Sequence, residues 1–470
     1  MELIAAWDEA PPAAMIFGAV RALAPEGPAF LLDGALPSHP GGCWSFLGFS
    51  PSARFRAWGR RVWVDGKLCA VADPLDALDR WLKELGIGEE PPGEGVPPLR
   101  AGVVGTVAYD LGRLIEPRAA ARPKRSRLPD LDLAAYEAVL AVNERSHRAE
   151  LWWSRRGGQP PTWALLLVRA DLWAMATPSP PAPTYRLAGM SLSPSDYAEA
   201  VRTVQKYIAQ GDLYQANLTT QLLFEQQRAG DGLGLYWRLR ESNPAPFAAY
   251  WEADGYAVLS TSPERFLRCD PRSRQIETCP IKGTQPRGET PQEDCARRAA
   301  LLGSEKDAAE LVMIVDLERN DLGRICEYGS VRVDDLRRVE SFATVHHTVA
   351  TVVGRLRAGV SWGEVLRATF PGGSITGAPK IRAMQLLDTL EPHRRGIYTG
   401  SLGYLDRSGG WDWNIAIRTA LLVGTRLSVG VGGGIVADSV PELELQEVQA
   451  KVAGLLRALG EEGECSLISG

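Results

Sequence analysis

Four prolines in nine residues, TPSPPAPTY (177–185), constrain this chain more than any other stretch. Each proline fixes φ and removes a backbone N–H, so the run is extended and joins neither a helix nor the middle of a sheet. The expected organisation is an N-terminal region over 1–176, a proline-rich linker over 177–193 and a second region over 194–460. Before the linker lie short strand-like runs such as FLLDGAL (30–36) and RRVWVDGKLCAV (60–71), interrupted by EEPPGEGVPP (89–98). After it, SPSDYAEAVRTVQKYIAQGD (193–212) reads as a helix capped by Ser193 and closed by Gly211. Hairpins mixed with helices predict an α+β fold rather than a doubly wound parallel sheet.

The 470 residues are 45% hydrophobic and 23% charged, as in soluble globular proteins. A net charge of −5 argues against a nucleic-acid or anionic-membrane partner. Seven cysteines without a CxxC pair read as reduced thiols rather than a disulfide frame or zinc site. No basic n-region with an apolar core opens the chain, and no apolar run approaches membrane-span length. The expectation is a soluble, cytoplasmic protein.

Only 8 of the 52 basic residues are lysine. Lys282, in CPIKGTQPRG (279–288), therefore reads as kept for what arginine cannot do, which is to lose a proton and act as a nucleophilic amine. SPERFLRCD (262–270) and QIETCPIKGT (275–284) flank a turn at 271–274. A hairpin turning about Ser273 pairs Glu264 with Lys282 on one sheet face. That pair is either an acid beside a nucleophile or a solvated salt bridge.

Two helices carry carboxylates at i, i+3. GSEKDAAELVMIVDLERNDLGRI (303–325) is expected to be capped by Ser304 and presents Asp307 and Glu310. ADSVPELELQEVQAKVAGLLRAL (437–459) is expected to be capped by Ser439 and presents Glu444 and Glu447. The four acids either hold Mg²⁺, which takes oxygen ligands and keeps several waters, or form solvated faces.

SVGVGGGIVADS (428–439) reads as strand, glycine cluster and helix start, with Gly432, Gly433 and Gly434 offering backbone N–H groups to a carboxylate. FPGGSITGAPK (370–380) resembles a phosphate loop but carries Ala378-Pro379 where Lys-Ser/Thr belongs, so nucleotide binding is rejected. In WDWNIAIRTALLV (411–423) a period of two buries Trp411, Trp413, Ile415 and Ile417 and turns Arg418 to a polar face. Arg418 either clamps a carboxylate or closes a strand-edge ion pair. His347, in ATVHHTVATVV (343–353), reads first as a structural histidine.

From about 194 to 460 the chain carries, in order, DLYQANLT, SPERF, PIKGT, DAAELVMIVDLERNDLGR, VHHTV, FPGGSITGAPK, RRGIYTGSLGY, NIAIRTA and GGGIVADSVPELELQE. In these nine blocks it resembles the chorismate-utilising enzymes. The resemblance implies a large sandwich of two antiparallel sheets packed face to face, helices outside and N- and C-terminal segments interleaved. It implies Mg²⁺ bound by Glu310 and Glu447, with Asp307 and Glu444 direct or through water, holding the ring carboxylate of chorismate. It further implies Tyr398, Arg418 and the backbone of Gly432–Gly434 at the enolpyruvyl carboxylate, and Thr376 and His347 along the ring pocket.

Lysine in PIKGT is typical of the branch that makes 4-amino-4-deoxychorismate, whereas anthranilate-forming members usually have alanine. Water-using members place a lysine near Gln215, and an amide cannot deprotonate water. The resemblance thus implies catalytic Lys282, Glu264 and His347, with Gln215 among the substrate-binding residues, and ammonia from a separate glutamine amidotransferase subunit in a heterodimer. The product would serve 4-aminobenzoate and folate synthesis.

Overall fold

Strands such as Leu131–Tyr136 and Tyr256–Ser262 are buried at every position, which requires both faces of their sheets to be covered. The computed structural model describes residues 1–23, 27–120, 126–169, 180–342 and 345–460. Among them are two sheets of 12 strands each, with every pairing antiparallel. Alternation along one strand shows the layering. Phe30 points between the sheets with Tyr136, Trp251 and Tyr404, while Leu31 joins Phe17, Tyr197 and Val448 beneath helices. A separate core with Phe55, Leu311 and Trp413 lies under the helices of the second sheet. The result is helix, sheet, sheet, helix: the expected α+β sandwich.

Both sheets draw strands from either side of the proline-rich stretch. Ala29–Asp33 pairs with Phe247–Ala253 in the first, and Gly102–Val107 with Ser401–Asp406 in the second. Residues 177–179 of the expected linker lie outside the described residues, and Thr184–Met190 within it is an edge strand. The helix expected over 193–212 is present as Pro194–Ala209, with the Ser193 hydroxyl accepting from the Asp196 N–H and Gly211 left-handed just beyond. Among the described residues no helix is long and apolar enough to cross a membrane.

Nine elements carry or flank most of the residues singled out above. They are β1 (Gln215–Arg228), β2 (Arg265–Cys269), β3 (Gln275–Cys279), β4 (Ile281–Pro286), α1 (Glu305–Gly323), β5 (Val345–Arg355), β6 (Trp411–Asn414), β7 (Arg426–Ile435) and α2 (Pro441–Leu459).

Candidate active site

The chain passes twice between the sheets at one place. It leaves the first sheet after Ser262 and enters the second at β2, and it leaves the second after β6 and returns at Thr419–Val423. The two crossings are tied together: the Ile415 N–H donates to the Glu264 carbonyl at 3.0 Å, and the Thr261 N–H to the Arg418 carbonyl at 3.1 Å. Glu264 and Arg418 therefore stand at the seam where the sheets part. The uninterrupted alternation expected through 411–423 is corrected here. The strand stops at Asn414 because the chain changes sheets, and Arg418 turns at φ +49°.

The Glu264–Lys282 pairing also arises differently from the expected hairpin. β2 and β3 do pair, but Arg268 faces Glu277 and Cys269 faces Ile276, and a bulge then sets Arg265 opposite Cys279. Pro280 has no N–H to continue that ladder. Lys282 instead lies on β4, opposite Thr348 of β5, and its carbonyl accepts from the Thr348 hydroxyl. Glu264 still meets this turn, since the Ile281 N–H points at its Oε1 from 3.5 Å.

Glu264 is 4% exposed, and burial pushes its carboxyl up to about 7, against the opposing pull of the Ser374 hydroxyl, Lys282, the Ile281 N–H and Arg418. Burial likewise lowers the Lys282 amine from its ordinary value, opposed by Glu310, Glu264 and Glu447. The two shifts move toward each other. A neutral amine beside a neutral acid is the pair that nucleophilic attack with proton donation needs. The Lys282 Nζ also lies 3.5 Å from the Ser374 carbonyl.

Gly432, Gly433 and Gly434 are not a loop. They continue β7 and pair with Thr219, Leu218 and Asn217 of β1. Bare backbone is needed for a different reason at each. A Cβ on Gly432 would meet the Leu218 carbonyl at 2.2 Å, and one on Gly433 the Glu444 Oε2 at 3.2 Å. On Gly434 it would stand 2.0 Å from the Gln215 Nε2 and 3.5 Å from the Lys282 Nζ. The Gln215 amide is 1% exposed, yet neither its nitrogen nor its oxygen has a hydrogen-bond partner. Buried polar atoms of this kind call for a bound ligand or an ordered water.

Ser304 caps α1 as expected, accepting from the Asp307 N–H at 3.2 Å. Ser439 does not cap α2. Pro441 at the first helical position makes Val440 the cap, and the Ser439 hydroxyl instead donates to the Glu444 Oε1 at 2.7 Å. The two helices bring their acids into mutual range. Burial raises Glu310, with Asp307 and Glu447 adding to it, and burial raises Glu444, with Glu447 adding to it. Glu447 is held low despite partial burial, because Lys451 binds it at 2.7 Å and Lys306 and Lys282 stand near.

Among the described residues no three His, Cys, Asp or Glu side chains stand close enough together to hold an ion. The donors fit Mg²⁺ in chemistry, all being carboxylate oxygens. They also fit in number, since this ion needs one or two carboxylates and completes its shell with water and substrate. Three of the eight lysines, Lys282, Lys306 and Lys451, gather around these acids.

The remaining expected residues divide into two groups. Arg418 Nη2 lies 3.0 Å from the His347 Nε2, whose other ring nitrogen is 2.9 Å from the Thr284 hydroxyl and 3.3 Å from the Gly283 carbonyl. Burial and the guanidinium hold His347 down to about 3, so it is a neutral ring that orients Arg418 rather than a ready acid. Tyr398 lays its ring over Gly430, where a Cβ would come within 2.1 Å of it. Thr376 is fully buried and donates its hydroxyl to the Gly372 carbonyl at 2.9 Å, holding the loop in shape.

Two groups were not foreseen from the sequence. Ser374 offers a buried hydroxyl beside Glu264, whose carboxyl it helps to hold down. Glu318 is buried on α1, accepts from the Thr278 hydroxyl at 3.0 Å, and is raised well above its ordinary value by burial and then by Glu264. Its position in the stripe of Leu311, Ile314 and Val315 is the signal that could have revealed it, because an acid at a core position is out of place.

Residues 27–457 match the family described as chorismate binding enzyme. Aminodeoxychorismate synthase component 1 of Escherichia coli is 36% identical over 92% of this chain and 93% of its own length. Anthranilate synthase component 1 of Thermus thermophilus is 37% identical, over 88% and 89%. The crystal structure of anthranilate synthase component I from Streptococcus pneumoniae superposes with a TM-score of 0.74 at 28% identity, covering 88% of this chain and 92% of that one.

Proposed function

The chain belongs to the chorismate-binding enzymes, and on that footing we propose that it aminates chorismate to 4-amino-4-deoxychorismate. The comparisons favour this reading over an anthranilate-forming one, since relatives named aminodeoxychorismate synthase component 1 reach 38 and 40% identity over most of both chains, against 37% for the anthranilate synthase component 1. The single observation that carries it is Lys282, an amine lowered by burial beside Glu264, an acid raised by burial. Synthesis of anthranilate is the alternative, and it gives such an amine no part to play.

In the proposed reaction the Lys282 amine forms a bond to ring C2, the ring double bond shifts, and the C4 hydroxyl leaves as water with a proton from Glu264. Ammonia then bonds to C4, the double bond shifts back, and the lysine amine departs. Glu264 recovers its proton from the ammonium so formed. Two allylic displacements replace one difficult substitution. Glu310 and Glu447, with Asp307 and Glu444, would hold Mg²⁺, which supplies positive charge for the substrate ring carboxylate. Arg418, steadied by His347, and Tyr398 would hold the enolpyruvyl carboxylate, the guanidinium offering a fork of N–H donors.

Relatives named component 1 support a second component. We take it to be a glutamine amidotransferase subunit that delivers ammonia, with free ammonium as its substitute in a test tube. Six cysteines without disulfides among the described residues support a reducing, cytoplasmic setting.

The test is Lys282→Ala and Lys282→Arg assayed with chorismate, Mg²⁺ and ammonium, with and without a lyase that converts aminodeoxychorismate to 4-aminobenzoate. Both variants are expected to lose turnover, since arginine keeps the charge but not the nucleophile. Release of fluorescent anthranilate by the wild type would favour the alternative. Undiminished product from Lys282→Ala would sink the covalent role.

A further inference from the structure

Arg395 is 4% exposed and uses every N–H of its guanidinium on the protein. Nε and Nη2 clasp Glu391 at 2.9 and 2.7 Å. Nη2 also donates to the Asn217 carbonyl at 2.6 Å, and Nη1 to the Ile375 carbonyl at 2.8 Å and the Thr399 hydroxyl at 3.4 Å. The face of the guanidinium lies over the Tyr109 ring, 4.3 Å from its centre. Glu391 extends the knot, accepting from the N–H and hydroxyl of Thr219 at 3.0 and 2.8 Å.

Each of the three chain segments so joined carries a group of the site. Asn217 lies two residues beyond Gln215 on β1. Ile375 lies between Ser374, whose carbonyl faces Lys282, and Thr376. Thr399 follows Tyr398 and donates its hydroxyl to the Tyr398 carbonyl at 2.6 Å. Thr399 also holds φ +59°, a left-handed backbone that a β-branched residue adopts only when its surroundings enforce it. With no donor left, Arg395 cannot bind substrate itself.

We propose that Arg395 is a positioning residue that fixes three walls of the site, those bearing Gln215, Ser374 and Tyr398, against one another. Its bearing on catalysis rests on the chorismate-aminating reading, whereas its bearing on the walls does not. Lysine could keep the charge and the bond to Glu391 but has neither the planar fork nor the reach to three separate acceptors.

The experiment compares Arg395→Lys with Arg407→Lys. Arg407 is equally buried, against Glu137 and the Leu85 carbonyl, and touches none of the three walls. Amide hydrogen exchange is read first, without substrate. Arg395→Lys should speed exchange about tenfold or more around 215–219, 374–377 and 398–400 together, and Arg407→Lys should leave them unchanged. Turnover of chorismate with ammonium is read second. Here kcat/KM should fall about 100-fold in Arg395→Lys and stay within threefold in Arg407→Lys at a similar loss of Tm.

Glu391→Gln, which keeps the volume and weakens the clasp, should shift the same amides should Arg395→Lys fail to fold. Unchanged exchange in the three walls, or equal kinetic losses in the two arginine variants, overturns the proposal. Faster exchange in an enzyme whose wild type does not use chorismate overturns the reaction reading and leaves the positioning role standing.

Discussion

Gly434 leaves open the space in front of Lys282, because a methyl group there would stand 3.5 Å from the amine and 2.0 Å from the Gln215 amide nitrogen. Gly434→Ala is therefore expected to fill the site with the sheet intact and lower kcat/KM by about 100-fold, since a small misplacement at a reacting centre costs that much. Gly432→Ala should behave oppositely, as its methyl would strike the Leu218 carbonyl of the neighbouring strand. It should cost about 1–3 kcal/mol of stability by overpacking. Thermal melts and steady-state kinetics on both variants check the contrast, and equal effects on Tm would refute it.

Glu264, raised to about 7, sets an upper pH limit. Its protonated form is the proton donor, so ionisation of Glu264 should remove about tenfold in kcat/KM per unit above pH 7. Protonation of the Lys282 amine, which must be neutral to attack, adds a loss on the acid side. The profile must be taken at constant free ammonia, because ammonium also titrates in the alkaline range. Glu264→Gln should lose most of the rate and with it the alkaline limb. A limb of unchanged shape in the variant would assign it to another group.

The two helices that carry the acids were legible in the sequence because helix-start signals and i, i+3 spacing are local properties, although Pro441 moves the second cap from Ser439 to Val440. The four-layer sandwich followed from the resemblance and not from strand periodicity. Strands buried on both faces, such as Tyr256–Ser262, hide the alternation that would orient them. The hairpin register was missed for local reasons too subtle to read: a bulge before Cys279, the missing N–H of Pro280 and a left-handed Gly283 move Lys282 to a different partner strand. Gly432–Gly434 looked like a loop because glycine carries no alternation signal, although all three are in the ladder. Arg395 was invisible as one arginine among 44, since its role lies entirely in partners far along the chain.

His347 predicts acid sensitivity. Its folded value, about 3, lies below the ordinary 6.5, so the native state excludes the proton and the unfolded chain accepts it. This contribution to stability is complete above pH 6.5 and is lost as pH falls toward 3, by roughly 5 kcal/mol at the limit. His347→Asn should melt less steeply with acidification over that window than the wild type. It should also bind chorismate more weakly through a misoriented Arg418. Parallel pH–Tm curves for the two proteins would contradict the buried neutral ring.

Glu447 and Glu442 lie on the same helix and differ in what they face. Glu447 stands toward Glu310, Glu444 and Lys451, whereas Glu442 is two-thirds exposed with Arg202 at 3.9 Å. If these acids bind the metal, a lysine now neutralises a carboxylate that the ion would otherwise claim, and Lys451 must release Glu447 for binding to occur. Glu447→Gln is then expected to raise the Mg²⁺ concentration for half-maximal turnover by about tenfold or more, and Glu442→Gln to leave it unchanged. Calorimetric titration of Mg²⁺ in the presence of chorismate supplies the same comparison without turnover. Equal Mg²⁺ dependence in both variants would mean that the acids of this helix are ordinary surface charge, and the search for the ion would move to Glu310 and Asp307 alone.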